Sequence, residues 1–182
     1  ADLYEWVKAE VGRHVEVSSI SGGTDVVTAF AGGTAGVPGV PGELATRYLG
    51  AALQSWSPRR EALIDEAGEM VITAPMPSMP VGFWHDDDGS RYRAAYFDHQ
   101  WADGPMPHIW RHGDWVTVTD RGSLIIHGRS DATLNRHGIR MGSADIYEVV
   151  EAIDEVTEGF VLGIDGRRLA LLHHRRDGVH LR

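Results

Sequence analysis

The sequence has no cysteine, which excludes disulfides, thiolate metal centres and thiol nucleophiles. It has a single lysine, Lys8, and its 17 basic side chains are outnumbered by 26 acidic ones, for a net charge of -9. That balance argues against a general nucleic-acid or membrane-surface role. No apolar run is long enough to span a bilayer, and the first residues carry no signal-peptide pattern, so a cytoplasmic location is expected. Ten histidines occur, but none at zinc-like spacing; His173-His174 reads as a packed or solvated pair in an alternating strand. Repeats and low-complexity tracts are also lacking. What remains is a chain of 182 residues, 42% apolar, with six tryptophans, enough for a packed core in one medium domain or two small ones.

Along the chain, residues 2–10 suit a short amphipathic helix with Leu3, Trp6 and Val7 on one face. Residues 14–20, HVEVSSI, alternate as a half-buried strand does. The glycine-rich segment Ser21-Gly22-Gly23-Thr24-Asp25 follows, and residues 32–42 read as a loop. GELATRY, AALQSW and GEMVITA suggest three short strands, as in a small barrel or sandwich. PMPSMPVGFW is broken by proline, with Phe83 and Trp84 read as packing groups, and RYRAAYF suits a helical turn. Residues 108–129 predict two strands joined by a turn at Asp120-Arg121-Gly122. Beyond Asp131 the pattern changes to strand, strand, helix, strand, strand. The predicted boundary gives a β-rich unit over 1–130 and an α+β unit over 131–182.

The densest stretch is 128–153, GRSDATLNRHGIRMGSADIYEVVEAI. Arg129, Asp131 and Arg140 lie among glycine turns, a combination suited to a polyanion carrying sugar hydroxyls. Ser143 is a helix N-cap candidate, followed by Ile146, Val149, Val150 and Ile153 at helical spacing. Two other segments carry chemistry. In Ser21–Asp25 the glycines permit close backbone approach, a Thr hydroxyl can bond an oxyanion, and an Asp can hold Mg²⁺; taken alone, a plain strand-to-loop turn is the better explanation. Gly113-Asp114 is common in turns, yet a carboxylate there can accept two bonds from a ribose diol.

The stretch resembles the C-terminal core motif of the acyl-adenylate-forming (AMP-binding) enzymes. The matching positions are Gly128, Arg129, Asp131, Asn135, Gly138, Arg140 and Ile146; Ala132 and Asp145 depart from the usual Asp and Glu. SMPVGFW and YRAAYFD bring the wording closest to the acetoacetate-activating branch. The resemblance implies a distorted β-barrel subdomain followed by the start of a small α+β domain. It also implies ATP, AMP, coenzyme A and Mg²⁺ as substrates and ion, with acetoacetate as the acid. By position, Gly22, Gly23, Thr24 and Asp25 meet the phosphate, with Asp25 on the metal. Asp114 and Arg129 hold the ribose, Gly138 lines the pantetheine path, and Arg140 contacts phosphate or coenzyme A. Thr24 and Arg140 are the catalytic candidates, and Asp131 is the hinge. The glycine pair is also expected to leave room in the acid pocket.

The resemblance covers nearly the whole chain, and the chain about a third of such an enzyme. The phosphate loop and late lysine of the family lie outside it, so these 182 residues alone are expected to make no acyl-adenylate. Two rivals stand beside this reading. One is a ligase for another carboxylic acid. The other is a nonenzymatic nucleotide-binding or interaction module.

Overall fold

A computed structural model describes residues 2–131, 134–136, 139–141, 146–147, 149–150, 152–153, 156–164, 168–175 and 178–181. The chain divides into two compact units, Ala1–Ile126 and His127–Arg182.

The first unit opens with α1 (Asp2–Glu10), whose Leu3 and Trp6 are exposed. Strands β1 (Ile20–Gly23), β2 (Thr28–Gly32) and β3 (Thr46–Arg47) form an antiparallel sheet in that order. A five-stranded sheet holds β4 (Leu53–Trp56), β5 (Ala62–Leu63), β6 (Ala67–Ile72), β9 (Trp110–Val118) and β10 (Leu124–Arg129), ordered β10-β9-β6-β4-β5. β10 runs across the division between the units. Between β6 and β9 lie α2 (Ser90–Tyr96) and the small hairpin of β7 (Gln100–Trp101) with β8 (Gly104–Pro105). The strands read from GELATRY, AALQSW, GEMVITA and residues 108–129 are present. The sheets stay separate, however, and no closed barrel forms among the described residues.

The core joins the sheets through Phe30, Leu53, Met70, Ile72, Trp110, Val116 and Leu124, all nearly inaccessible. These are the β-branched, aromatic and long aliphatic side chains that fill a pleated, covered surface. α2 starts where the run Asp86-Asp87-Asp88-Gly89 supplies caps. The Asp86 carboxylate accepts the amides of Arg91 and Tyr92 at 3.0 and 2.9 Å, and Asp88 accepts that of Ser90 at 3.0 Å. These bonds satisfy the free N–H groups of the first turn. Tyr92 and Phe83 meet edge-on at 5.3 Å, and the Tyr92 hydroxyl donates to the Pro80 carbonyl at 2.6 Å. Phe83 therefore packs as expected, whereas Trp84 is 86% exposed and is not a packing group in this chain.

The strand expected over 14–20 is not formed; only Ile20 belongs to one. The reason is local. The Gly33 amide donates to Ser18 Oγ at 2.8 Å, so a side chain takes the place that a strand carbonyl would hold. The strand is instead the glycine segment itself, with Ile20 opposite Gly32 and Gly23 opposite Thr28.

The second unit contains the hairpin β11 (Leu134–Arg136) with β12 (Ile139–Met141), then helical backbone at 146–147 and 149–150. It ends in the antiparallel meander β13 (Val156–Ile164), β14 (Arg168–Arg175) and β15 (Gly178–Leu181).

One electrostatic tie in the first unit gives a pH prediction. Glu43 precedes the bridge in which Leu44 and Leu124 exchange both backbone bonds. Its carboxylate accepts Ser123 Oγ, and both its oxygens accept Arg121 Nη2, at 2.8 and 2.9 Å. The hydroxyl bond first, then the guanidinium, holds the carboxyl below the ordinary carboxylate range. A depressed native value stabilises the fold above the unfolded value of about 4.3, and that stability is lost as pH falls through the native value. Glu43→Gln should therefore lower the urea midpoint at pH 7, and the gap from wild type should close below about pH 4. A gap that stayed constant down to acid pH would remove the carboxylate as its cause.

Candidate functional site

The site is built on the β1–β2 hairpin and on β9. Thr24 and Asp25 lie in the turn from Thr24 to Val27, closed by the Val27 amide donating to the Thr24 carbonyl at 3.1 Å. Val27 accepts a left-handed φ of 54° there and is largely exposed, as are Thr24 and Asp25. A hydroxyl and a carboxylate are thus presented on the outside of a tight turn.

The two glycines before the turn have different reasons to be glycine. A Cβ on Gly22 would lie 2.2 Å from the Thr28 carbonyl oxygen and 2.5 Å from Ala29 Cα. These are backbone atoms, brought close by a register shift between Ser21 and Gly22. A Cβ on Gly23 would lie 3.0 Å from His112 Cε1. The room expected in an acid pocket at Gly22 is therefore not there: that position is filled by the partner strand.

Asp114 is buried on β9, preceded by Gly113 at φ 87°. Its Oδ2 lies 3.6 Å from His112 Nε2, and the same Nε2 is 3.1 Å from the Gly22 carbonyl. On the ring's other side, Trp110 Nε1 donates to His112 Nδ1 at 3.4 Å. With Nδ1 facing the indole N–H, the matching neutral tautomer carries its proton on Nε2, toward the Gly22 carbonyl. Phe30 packs edge-on against the imidazole at 4.9 Å. His112 thus stands between the carboxylate of Asp114 and the strand that leads into Thr24 and Asp25.

From α2, the Tyr96 hydroxyl donates to Asp25 Oδ2. The Tyr96 ring lies on Trp110, centroids 3.5 Å apart and planes 15° from parallel. Beside the site, Glu69 and Arg111 pair across β6 and β9 at 3.2 Å. Three contributors were missed in the sequence: Tyr96, Trp110 and His112. Trp110, His112 and Asp114 alternate along one strand, and side chains two apart share a face. That spacing was available to find two of them.

In the second unit, Arg129 Nε donates to Asp131 Oδ1 at 2.9 Å, and its Nη2 pairs with Oδ2. The ribose and hinge candidates are thus forked together, with both side chains about half exposed. Arg140 lies on β12 opposite Asn135. Gly138, Ala132 and Asp145 lie outside the described residues.

No family model matches the chain. Acetoacetyl-coenzyme A synthetase of Rhizobium meliloti (strain 1021) is 45% identical over 182 residues, covering 98% of this chain and 26% of the relative. The solved acetoacetyl-CoA synthetase of Streptomyces lividans superposes with a TM-score of 0.81 at 48% identity, over 97% of this chain and 26% of that one. An anthranilate CoA ligase solved with anthranoyl-AMP gives 0.66 at 19% identity, over 97% of this chain and 31% of its own. The chain therefore has the fold of a segment of the acyl-adenylate-forming enzymes, mixed and rich in sheet. Within that class its sequence is similar to a segment of the acetoacetyl-CoA synthetases. It spans about a quarter of the length of these relatives, 26% in the Rhizobium case.

Proposed function

We propose that this chain is the nucleotide-gripping part of an AMP-forming acetoacetate–CoA ligase of the cytoplasm. The observation that carries the reading is the placement of His112, whose Nε2 lies 3.6 Å from the Asp114 carboxylate and 3.1 Å from the Gly22 carbonyl at the entry to the turn bearing Thr24 and Asp25. In the proposed reaction an acetoacetate carboxylate oxygen attacks the α-phosphorus of ATP and pyrophosphate leaves. The coenzyme A thiol then displaces AMP from the acyl-adenylate. The protein's part is orientation and charge stabilisation. Thr24 donates its hydroxyl to the α-phosphate, and Asp114 with Arg129 accepts and fixes the ribose. Arg140 meets phosphate or coenzyme A, and Gly138 borders the pantetheine path. Residues 1–130 belong to the large nucleotide-binding domain in this reading. Residues 131–182 begin the small domain, which turns about Asp131 between the two half-reactions.

Asp25 suits Mg²⁺ by its chemistry: an exposed hard-oxygen donor, already oriented by Tyr96. When bound, the ion neutralises charge on the phosphates. Asp25 and Thr24, adjacent on one turn, receive the two sides of that charged group.

The test is acetoacetate-dependent ATP–pyrophosphate exchange by a full-length ligase carrying these residues, together with AMP binding by calorimetry. Asp114→Ala removes charge-assisted bonds to a ribose diol, at a cost of about 1.5–3 kcal/mol, roughly 10- to 150-fold in affinity. Equal AMP affinity in variant and wild type would reject the ribose role. Exchange with other short acids but not with acetoacetate would reject the substrate.

A further inference from the structure

The Thr24–Asp25 turn has one internal backbone bond, from the Val27 amide to the Thr24 carbonyl. It is approached through Gly22 and Gly23, the residue type with the widest choice of backbone conformations. A turn of that kind does not hold a hydroxyl and a carboxylate in fixed positions by itself. Two groups from outside the hairpin grip it instead, one at each end. At the entry, His112 Nε2 lies 3.1 Å from the Gly22 carbonyl. At the tip, the Tyr96 hydroxyl donates to Asp25 Oδ2.

Both grips are anchored on the same residue. Trp110, 1% exposed, fixes the histidine tautomer through its indole N–H at 3.4 Å. On its face it carries the Tyr96 ring at 3.5 Å. Tyr96 reaches Trp110 from α2, whose first turn is capped by Asp86. The neighbouring Tyr92 and Phe97 also pack edge-on against the indole, at 6.3 and 5.9 Å.

We propose that Tyr96 and His112 are positioning residues which, braced on Trp110, hold the Thr24–Asp25 turn ready to receive the magnesium–phosphate group of the nucleotide. The proposal rests on the roles given above to Thr24 and Asp25. Ordering the turn in advance removes part of the ordering cost from the binding step. A bond to one oxygen of a ligating carboxylate also aims the other oxygen. Removing such partners typically weakens metal affinity or activity by 10- to 100-fold.

The experiment uses a full-length ligase carrying this segment. It reads the Mg²⁺ concentration giving half-maximal ATP binding by calorimetry, the KM for acetoacetate, and the thermal midpoint without ligand. Tyr96→Phe keeps the stacked ring and loses only the hydroxyl. The expected result is a rise of about tenfold in the Mg²⁺ requirement, with acetoacetate KM and thermal midpoint unmoved. At position 112, Gln can place its amide nitrogen where Nε2 stood and Asn cannot, so His112→Gln should bind Mg·ATP better than His112→Asn. Asp25→Asn separates the two levels. If it leaves the Mg²⁺ requirement unchanged, the metal role of Asp25 fails and the proposal fails with it. If Asp25→Asn raises the requirement and Tyr96→Phe does not, the metal role stands and the clamp is overturned. Loss of thermal stability in Tyr96→Phe equal to its loss of affinity would also overturn it, because the hydroxyl would then be structural. Should the His112 variants not fold, Tyr96→Phe alone decides.

Discussion

Trp110→Ala is expected to destabilise the chain by about 3–5 kcal/mol, the range for deleting a large buried aromatic side chain. The position argues for the upper part of that range. Trp110 is 1% exposed and belongs to the main core cluster. It begins β9 opposite Ile72 of β6, so its ring packs at the edge of the central sheet and collapse onto the space it leaves is restricted. The deletion removes the stacked partner of Tyr96 and the edge contacts to Tyr92 and Phe97. Aromatic pairs contribute about 0.5–1.5 kcal/mol each beyond buried area. It also removes the indole donor from His112 Nδ1. These contributions overlap and do not add. Urea unfolding followed by circular dichroism measures the total. Trp84→Ala is the control: that ring is 86% exposed, and its removal should change stability by no more than about 0.5 kcal/mol. Similar midpoints for Trp110→Ala and wild type would show that the cluster around α2 does not hold the first unit together.

Strands with strong patterns were legible in the sequence, and those that depend on partners were not. GEMVITA and residues 108–129 combine apolar runs with clear turn residues, and they form β6, β9 and β10. EGFVLGI and RRLALLHH likewise pair as β13 and β14, with Phe160 opposite Leu172. HVEVSSI alternates equally well, but alternation states only which faces a strand would present. Whether it forms depends on a neighbouring edge, and here Ser18 Oγ takes the Gly33 amide. Gly22 and Gly23 show the converse. Glycine lowers strand propensity, so the pair reads as a turn after a strand, yet Gly22 and Gly23 pair with Ala29 and Thr28 inside the strand.

The site was legible at single residues and not as a unit. Thr24, Asp25 and Asp114 were chosen for their chemistry and by resemblance to a family. Their connection runs through His112 and Tyr96, which are 90 and 71 residues from their partners. No local pattern encodes such pairings; they follow from β9 and α2 packing beside the β1–β2 hairpin. Arg129 and Asp131 were both chosen, for separate tasks. Their forked pairing is a contact that two residues two apart on a strand end can reach without any long-range fold.

Gly22→Ala is expected to destabilise the first unit by about 1–3 kcal/mol, the cost of forcing one extra carbon into a filled space. The added Cβ would stand 2.2 Å from the Thr28 carbonyl oxygen and 2.5 Å from Ala29 Cα. Both are main-chain atoms of β2, and Ala29 is the residue paired with Gly22 in register. No rotamer change relieves that clash; β1 must move from β2. Moving β1 withdraws the Gly22 carbonyl from His112 and shifts the turn that carries Thr24 and Asp25. Stability and nucleotide affinity should therefore fall together, unlike in Tyr96→Phe. If these glycines instead left volume for a longer acid, as the sequence suggests, Gly22→Trp would favour acetate. With the Cβ direction closed by backbone, a tryptophan there would displace the hairpin before it could shorten any pocket. Gly39→Ala is the comparison: a Cβ there meets nothing within 4 Å, and its cost should stay within about 0.5 kcal/mol. Urea midpoints of the two variants decide the matter. A Gly22→Ala chain as stable as Gly39→Ala, with acid preference moved toward acetate in the full-length ligase, would return Gly22 to the pocket wall.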